Sequence, residues 1–270
     1  LAAQFYTRPV KVRGSFLVVL AALALALQTA APVAGRPTCA GQPATIVAKV
    51  GGDTITGRGR SEVIVGSAGN DRINGLGGND VICGGGGNDT ILGGRGSDRL
   101  FGEGGNDDID GERGNERISG GAGNDLLDEN EGDGTVRGGA GNDRLVGFIG
   151  IDKLLGGSGS DDLTAGIGFD TLKGEGGDDK LAPEKGHDAA DGGPGSDTVD
   201  YSSEPKLVEI DLAKDKSLDS EGVDELRSIE NAIGSKFNDV LLGDPGPNVL
   251  TGGLGDDRLD GRGGEDTLTQ

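Results

Sequence analysis

Methionine and tryptophan are missing from these 270 residues, histidine occurs once, and cysteine twice. A single histidine, His187, leaves no His-Glu-x-x-His zinc helix. A Ser–His–Asp site built on it would need a further structural layer to orient the ring. Aromatic residues make up 3% of the chain, and beyond residue 35 they are Phe101, Phe148, Phe169, Tyr201 and Phe237 alone. Positive charge is also scarce: 25 Lys and Arg face 46 Asp and Glu, a formal net charge of −21. That balance argues against nucleic acid or an anionic membrane surface as a direct partner. Glycine strings such as Gly84–Gly87 are not followed by Gly-Lys-Ser/Thr, so they make no phosphate loop.

Long apolar runs are absent except one, Phe16 to Leu27. It is short for a membrane span, which needs about 20 apolar residues. Arg8, Lys11 and Arg13 precede it, and the small residues Ala30, Ala31, Ala34 and Gly35 follow. This is the layout of a secretory signal peptide over residues 1–35, with cleavage expected between Ala31 and Gly35. Losing that segment removes three positive charges and takes the chain from −21 to −24.

Glycine is abundant, at 56 residues, and it recurs in phase. From residue 48 to 200, seventeen nonamers of the form Gly-Gly-x-Gly-x-Asp-x-apolar-x run without insertion or deletion. Gly84-Gly85-Gly86-Gly87-Asn88-Asp89-Thr90-Ile91-Leu92 shows the frame almost unmodified. The sixth position is Asp fourteen times, Glu at 62 and 116, and Gly at 134. The eighth is apolar every time, from Ile55 to Val199, and the fourth is Gly everywhere except Arg60. Four more nonamers run from Gly234 to Thr269, with Asp239, Asn248, Asp257 and Asp266 in the sixth column.

Glycines at positions one, two and four suit tight loops through positive φ and close backbone approach. Positions seven to nine read as a three-residue strand with the eighth side chain inward. One nonamer cannot bury its single Ile or Leu, but stacked nonamers can. The expected architecture is an all-β parallel β-roll, a flattened β-solenoid with two nonamers per coil: loop, strand, opposite loop, return strand. The organisation expected is a cap segment over 36–47, a roll over 48–200, a non-repeat insertion over 201–233 and a second short roll over 234–270.

A carboxylate every nine residues, held on glycine turns, makes stacked oxygen-lined loops about 4.8 Å apart. Such loops suit a hard cation, and calcium, which takes six to eight oxygens at about 2.3–2.6 Å, fits better than magnesium. Zinc would ask for Cys or His, and the repeats hold one of each, Cys83 and His187. The candidate ligands are Asp53, Asp71, Asp80, Asp89, Asp98, Asp107, Asp125, Asp143, Asp152, Asp161, Asp170, Asp179, Asp188, Asp197, Asp239, Asp257 and Asp266. Backbone oxygens are expected from Gly66, Gly84, Gly87, Gly102, Gly105, Gly120, Gly123, Gly138, Gly141, Gly156 and Gly159. Alternate repeats fall on opposite edges of the roll. The edge beginning at Asp53 is Asp nine times in nine, which predicts a continuous column of up to eight inter-loop sites. The edge beginning at Glu62 carries every departure, so weakened sites are expected around 111–119 and 129–137.

These nonamers resemble the RTX (repeats-in-toxin) calcium-binding family. The resemblance implies a right-handed β-roll with multiple calcium ions bound in its loops. Ser228-Ile229-Glu230-Asn231-Ala232-Ile233-Gly234-Ser235, leading to Asn238-Asp239, is similar to the linker before terminal repeats in secreted members of that family. Many members also carry a hydrolase or pore-forming module, for which these residues offer no catalytic motif.

Three further expectations follow. Cys39 and Cys83, an even pair in an exported chain, suggest a disulfide that pins the N-terminal segment over the first coils. Leu207 to Leu212 reads as a strand, Asp215 to Glu225 as a charged loop, and Leu226 to Ile233 as a turn or partial helix. A chain so acidic and so poor in apolar residues should not collapse unaided, so folding is expected to depend on calcium. The leading function is therefore a secreted, non-catalytic calcium-binding β-roll. The alternatives are a calcium-stiffened adhesion or cell-envelope protein with glycan, envelope or self-association partners, and the detached export-and-folding cassette of a secreted hydrolase.

Overall fold

The structure, a computed structural model, describes residues 37–49, 51–219 and 221–270. The expected signal peptide lies outside the described residues. Within them the chain winds as a β-solenoid whose coils take eighteen residues each. Ile91 lies in register between Ile73 and Ile109 on one face, and Leu100 between Ile82 and Ile118 on the other. Repetition of this register builds two facing sheets, one of 12 strands and one of 14.

Strands in the middle of the roll are longer than the three residues expected. Thr90–Arg95, Arg99–Gly104 and Asp108–Arg113 each have six residues. Pairing skips the first position of the following nonamer and resumes at the second and third, as in Glu112 opposite Gly94 and Arg113 opposite Arg95. Second-position residues adopt a left-handed backbone, including Glu103 (φ 75°) and Phe148 (φ 72°), so the strand bends there without ending. Towards both ends the strands shrink to three residues, as at Thr54–Thr56 and Val249–Thr251.

Inward positions alternate as the pleat requires: sixth, eighth and then the first of the next repeat. The eighth-position side chains form the core, mostly isoleucine up to Ile118 and mostly leucine or valine beyond it. Each buried Ile or Leu contributes about 1.5–3 kcal/mol against the chain's ordering entropy. The core is only as wide as two facing side chains, so each coil depends on the next for its cover.

The interruption is more ordered than its sequence suggests. Val208, Ile210 and Leu212 are buried as expected, but the strand is Glu209–Asp211 and a 3₁₀ turn, Leu212–Lys214, follows. The expected charged loop contains two strands, Lys216–Leu218 and Val223–Arg227, which pair antiparallel to each other. Leu226 and Ile233 lie on strands, not on a partial helix. The reason is edge pairing: Val223–Arg227 hydrogen-bonds to Ala189–Asp191 of the preceding coil, and Asn231–Ile233 to Thr198–Asp200. The 12-stranded sheet then passes directly into the terminal repeats, where Ala232 is opposite Leu250. The two arrays share both sheets.

The N-terminal segment covers the first coils from outside. Cys39 and Cys83 form the expected disulfide, with Cα atoms 5.7 Å apart. Cys83 occupies an outward ninth position, yet it is buried with Cys39, Val63 and Val81 beneath the small hairpin Thr38–Pro43. Ile46–Val47 adds a strand to the end of the 14-stranded sheet. No described helix is long and apolar enough to cross a membrane.

Candidate metal centre

The sixth-position acids do not point to solvent. Between Asp80 and Asp197 every Asp of this column is 3% exposed or less. One carboxylate oxygen, Oδ1, accepts the N–H of the sixth residue one coil earlier. Asp71 N–H donates to Asp89 Oδ1 at 2.7 Å, and Asp89 N–H to Asp107 Oδ1 at 2.8 Å. Each acid thereby staples two coils.

The other oxygen is left over. Oδ2 of Asp80, Asp89, Asp98, Asp107, Asp125, Asp143, Asp152, Asp161, Asp170, Asp179, Asp188 and Asp197 is buried without any hydrogen-bond donor. A buried carboxylate oxygen without a partner carries its full desolvation penalty. Where the first position of the same repeat is glycine, the free oxygen faces it. A Cβ built on Gly75 would stand 2.6 Å from Asp80 Oδ2 and 2.5 Å from the carbonyl oxygen of Gly93 on the next coil. Equivalent positions at Gly84, Gly102, Gly138 and Gly156 are crowded by an acid oxygen of the same repeat and a first-position carbonyl of the next coil. First-position glycine is thus required for space, not for positive φ.

From Gly78 to Gly159 fourth-position glycine serves both. Gly105 sits at φ 128°, and the carbonyl of Gly87 occupies the place its Cβ would take; Gly123 and Gly159 repeat the arrangement. The fifth position has its own ladder. Asn88 N–H donates to Asn70 Oδ1 and Asn106 N–H to Asn88 Oδ1, both at 2.9 Å.

Burial raises the acids' pKa values. Desolvation, reinforced by the acids one coil away, lifts Asp80, Asp89, Asp125, Asp161 and Asp197 to about 6, against the opposing pull of the N–H on Oδ1. Asp152 rises to about 7 and Asp188 to about 8 by the same cause. The fit to a hard divalent cation is direct: orphaned anionic oxygens share a narrow space with main-chain carbonyls. Among the described residues no group of three or more Asp, Glu, His or Cys side chains converges on one point. Most oxygens around an ion would therefore come from the backbone.

Not every candidate has a free oxygen. Asp71 Oδ2 accepts from Ser67 N–H and Oγ–H at 2.7 and 2.9 Å, and Asp239 Oδ2 from Ser235 N–H at 2.6 Å. Asp53 Oδ2 accepts from Lys49 N–H at 2.6 Å. Asp257 keeps a donor-free Oδ2, but it and Asp266, in the last coils, are only partly buried. Glu62, on the opposite edge, faces the guanidinium groups of Arg58 and Arg60 at 3.7 and 3.8 Å.

Two members of the column lie beyond residue 200, where the strict period breaks. Asp224 Oδ1 accepts Asp188 N–H at 2.9 Å, and Glu230 Oε2 accepts Asp197 N–H at 2.9 Å. Asp224-Glu225-Leu226 keeps the phase of the first array, and Glu230-Asn231-Ala232 that of the second. Running each frame on into the interruption finds both.

The sequence model of the RTX calcium-binding nonapeptide repeat (4 copies) matches residues 56–91, 92–127, 130–163, 155–190 and 233–268, more than half of the chain. The chain belongs to this RTX repeat family. No curated protein matches it. Calcium binding is the property that the family description names.

Proposed function

We propose that this RTX chain is a secreted, non-catalytic calcium-binding β-roll whose folding is coupled to calcium outside the cell. One observation carries the reading: a column of buried carboxylates, each holding the preceding coil with Oδ1 and presenting a donor-free Oδ2. Bound calcium would supply positive charge and coordination where the protein supplies no donor. The residues themselves supply the rest. Asp89, Asp107 and Asp125 fix coil spacing, and first-position glycines keep the space open. Piling anionic loops without a counterion opposes closure, and the sparse core offers little to offset it. Export through the leader of residues 1–35 is consistent with such coupling, because the chain would cross unfolded and close only where calcium is abundant.

Far-UV circular dichroism of the full chain, first in chelator and then in excess calcium, tests the proposal. A large gain of β signal and of thermal midpoint with calcium is expected. An unchanged spectrum and midpoint would overturn it. A surface-binding role is the second reading, favoured by Ile149, Ile151, Ile167 and Phe169, all more than half exposed on the loops of one edge. Calcium-dependent pull-down of cell-envelope material separates it from the first.

A further inference from the structure

Within the first array, the repeat at 129–137 alone lacks a sixth-position acid, having Gly134 there, and it also lacks the first-position glycine, having Glu129. The two departures are one exchange. The Glu129 side chain turns inward and fills the space beside Gly134: a Cβ on Gly134 would collide with Glu129 Cγ and stand 2.7 Å from its Oε1 and Cδ. Glu129 is fully buried, and neither carboxylate oxygen has a donor. Glu116, from the loop one coil earlier on the same edge, is likewise buried, with both oxygens free of donors. A Cβ built on Gly111 would stand 3.3 Å from its Oε2 and 2.9 Å from the carbonyl oxygen of Glu129, the same crowding by acid and next-coil carbonyl that ordinary repeats show. Glu62 provides the contrast, because Arg58 and Arg60 neutralise it. No Lys or Arg among the described residues pairs with Glu116 or Glu129.

We propose that Glu116 and Glu129 form a relocated divalent-cation site, in which a first-position carboxylate replaces the missing sixth-position one and keeps this edge continuous. The inference rests on the calcium reading above and extends it to a pair that the repeat pattern marks as a gap. The two carboxylates, from successive coils, lie close enough to interact with each other, and together they bring twice the acid oxygens of an ordinary loop, which favours a hard cation that accepts many oxygens. The alternative, two glutamates that share a proton and merely fill space, is an outcome of the test.

Native mass spectrometry of the full chain counts bound calcium in the wild type, Glu129→Gln, the double variant Glu129→Gly/Gly134→Asp, and Asp170→Asn as a control elsewhere on the same edge. The expected result is one ion fewer in Glu129→Gln, one fewer in Asp170→Asn, and the wild-type number in the double variant, which restores the ordinary repeat. An unchanged count in Glu129→Gln beside a loss in Asp170→Asn overturns the relocated site alone. So does a double variant that binds one ion more than wild type, which remains decisive if Glu129→Gln fails to fold. An unchanged count in every variant defeats the calcium reading itself.

Discussion

Asp71 and Asp107 occupy the same column, accept the same inter-coil N–H and are equally buried, yet their second oxygens differ. Ser67 satisfies Asp71, whereas Asp107 Oδ2 has no donor. Replacing a carboxylate oxygen by an amide NH₂ should therefore act oppositely at the two sites. Asp71→Asn puts a donor against the donors of Ser67 and should cost about 1–3 kcal/mol with or without calcium. Asp107→Asn removes an orphaned anion while Oδ1 still holds Asp89, so it should cost little in chelator and lose one calcium ion in calorimetric titration. Urea midpoints of both variants, measured in chelator and in saturating calcium, check the contrast. Equal behaviour of the two would mean that the donor-free oxygen is not what binds the ion.

At the scale of elements, legibility followed repetition. Each nonamer meets the same neighbours above and below, so its column positions can be read from one coil and carried to all. The glycine at position one, expected for positive φ and close backbone approach, proved to be there for close approach alone, because the acid at position six folds back over it. That fold-back depends on where a side chain points, which spacing alone does not reveal. The strands Lys216–Leu218 and Val223–Arg227 were hidden for a different reason. They are charged and short, and their extended form comes from hydrogen bonds offered by Ala189–Asp191. Their inner anchor is polar. Tyr201 Oη lies 2.5 Å from Ser217 Oγ and donates to Asp224 Oδ2 at 2.6 Å, with all three side chains buried. Tyr201→Phe removes that donor and leaves Asp224 Oδ2 to Ser217 alone. The expected cost is about 1–2 kcal/mol. Hydrogen exchange should place the loss at 216–218 and 223–227, while protection at 90–122 stays unchanged. Uniform loss would mean that the interruption is coupled to the whole roll.

At the scale of the molecule, a solenoid lacks contacts between distant coils, so its stability is a sum over neighbours and its ends are the weak points. The two ends are treated differently. At the C-terminal side Arg262 reaches back to Asp211 with hydrogen bonds of 2.5 and 3.0 Å, clamping the last coils to the interruption. Leu268 nevertheless remains half exposed. At the N-terminal side the bridge from Cys39 to Cys83 spans 44 residues and ties the outer hairpin to the strand Val81–Gly86 of the 14-stranded sheet. Closing a loop of that size contributes about 2–4 kcal/mol by restricting the unfolded chain. Its loss should be felt where the covalent tie acts. In Cys39→Ser/Cys83→Ser, the small cluster of Val63 and Val81 loses its cover, so the strands at 46–47 and 63–67 should open first. Strands at 144–149 and 162–168, many coils away, should keep their protection, because among the described residues they meet the hairpin only through the intervening stack. Denaturant unfolding followed by residue-resolved hydrogen exchange in saturating calcium tests this. A protection loss graded from the N-terminal coils is expected, and an even loss along the roll would show that the coils fold as one cooperative block.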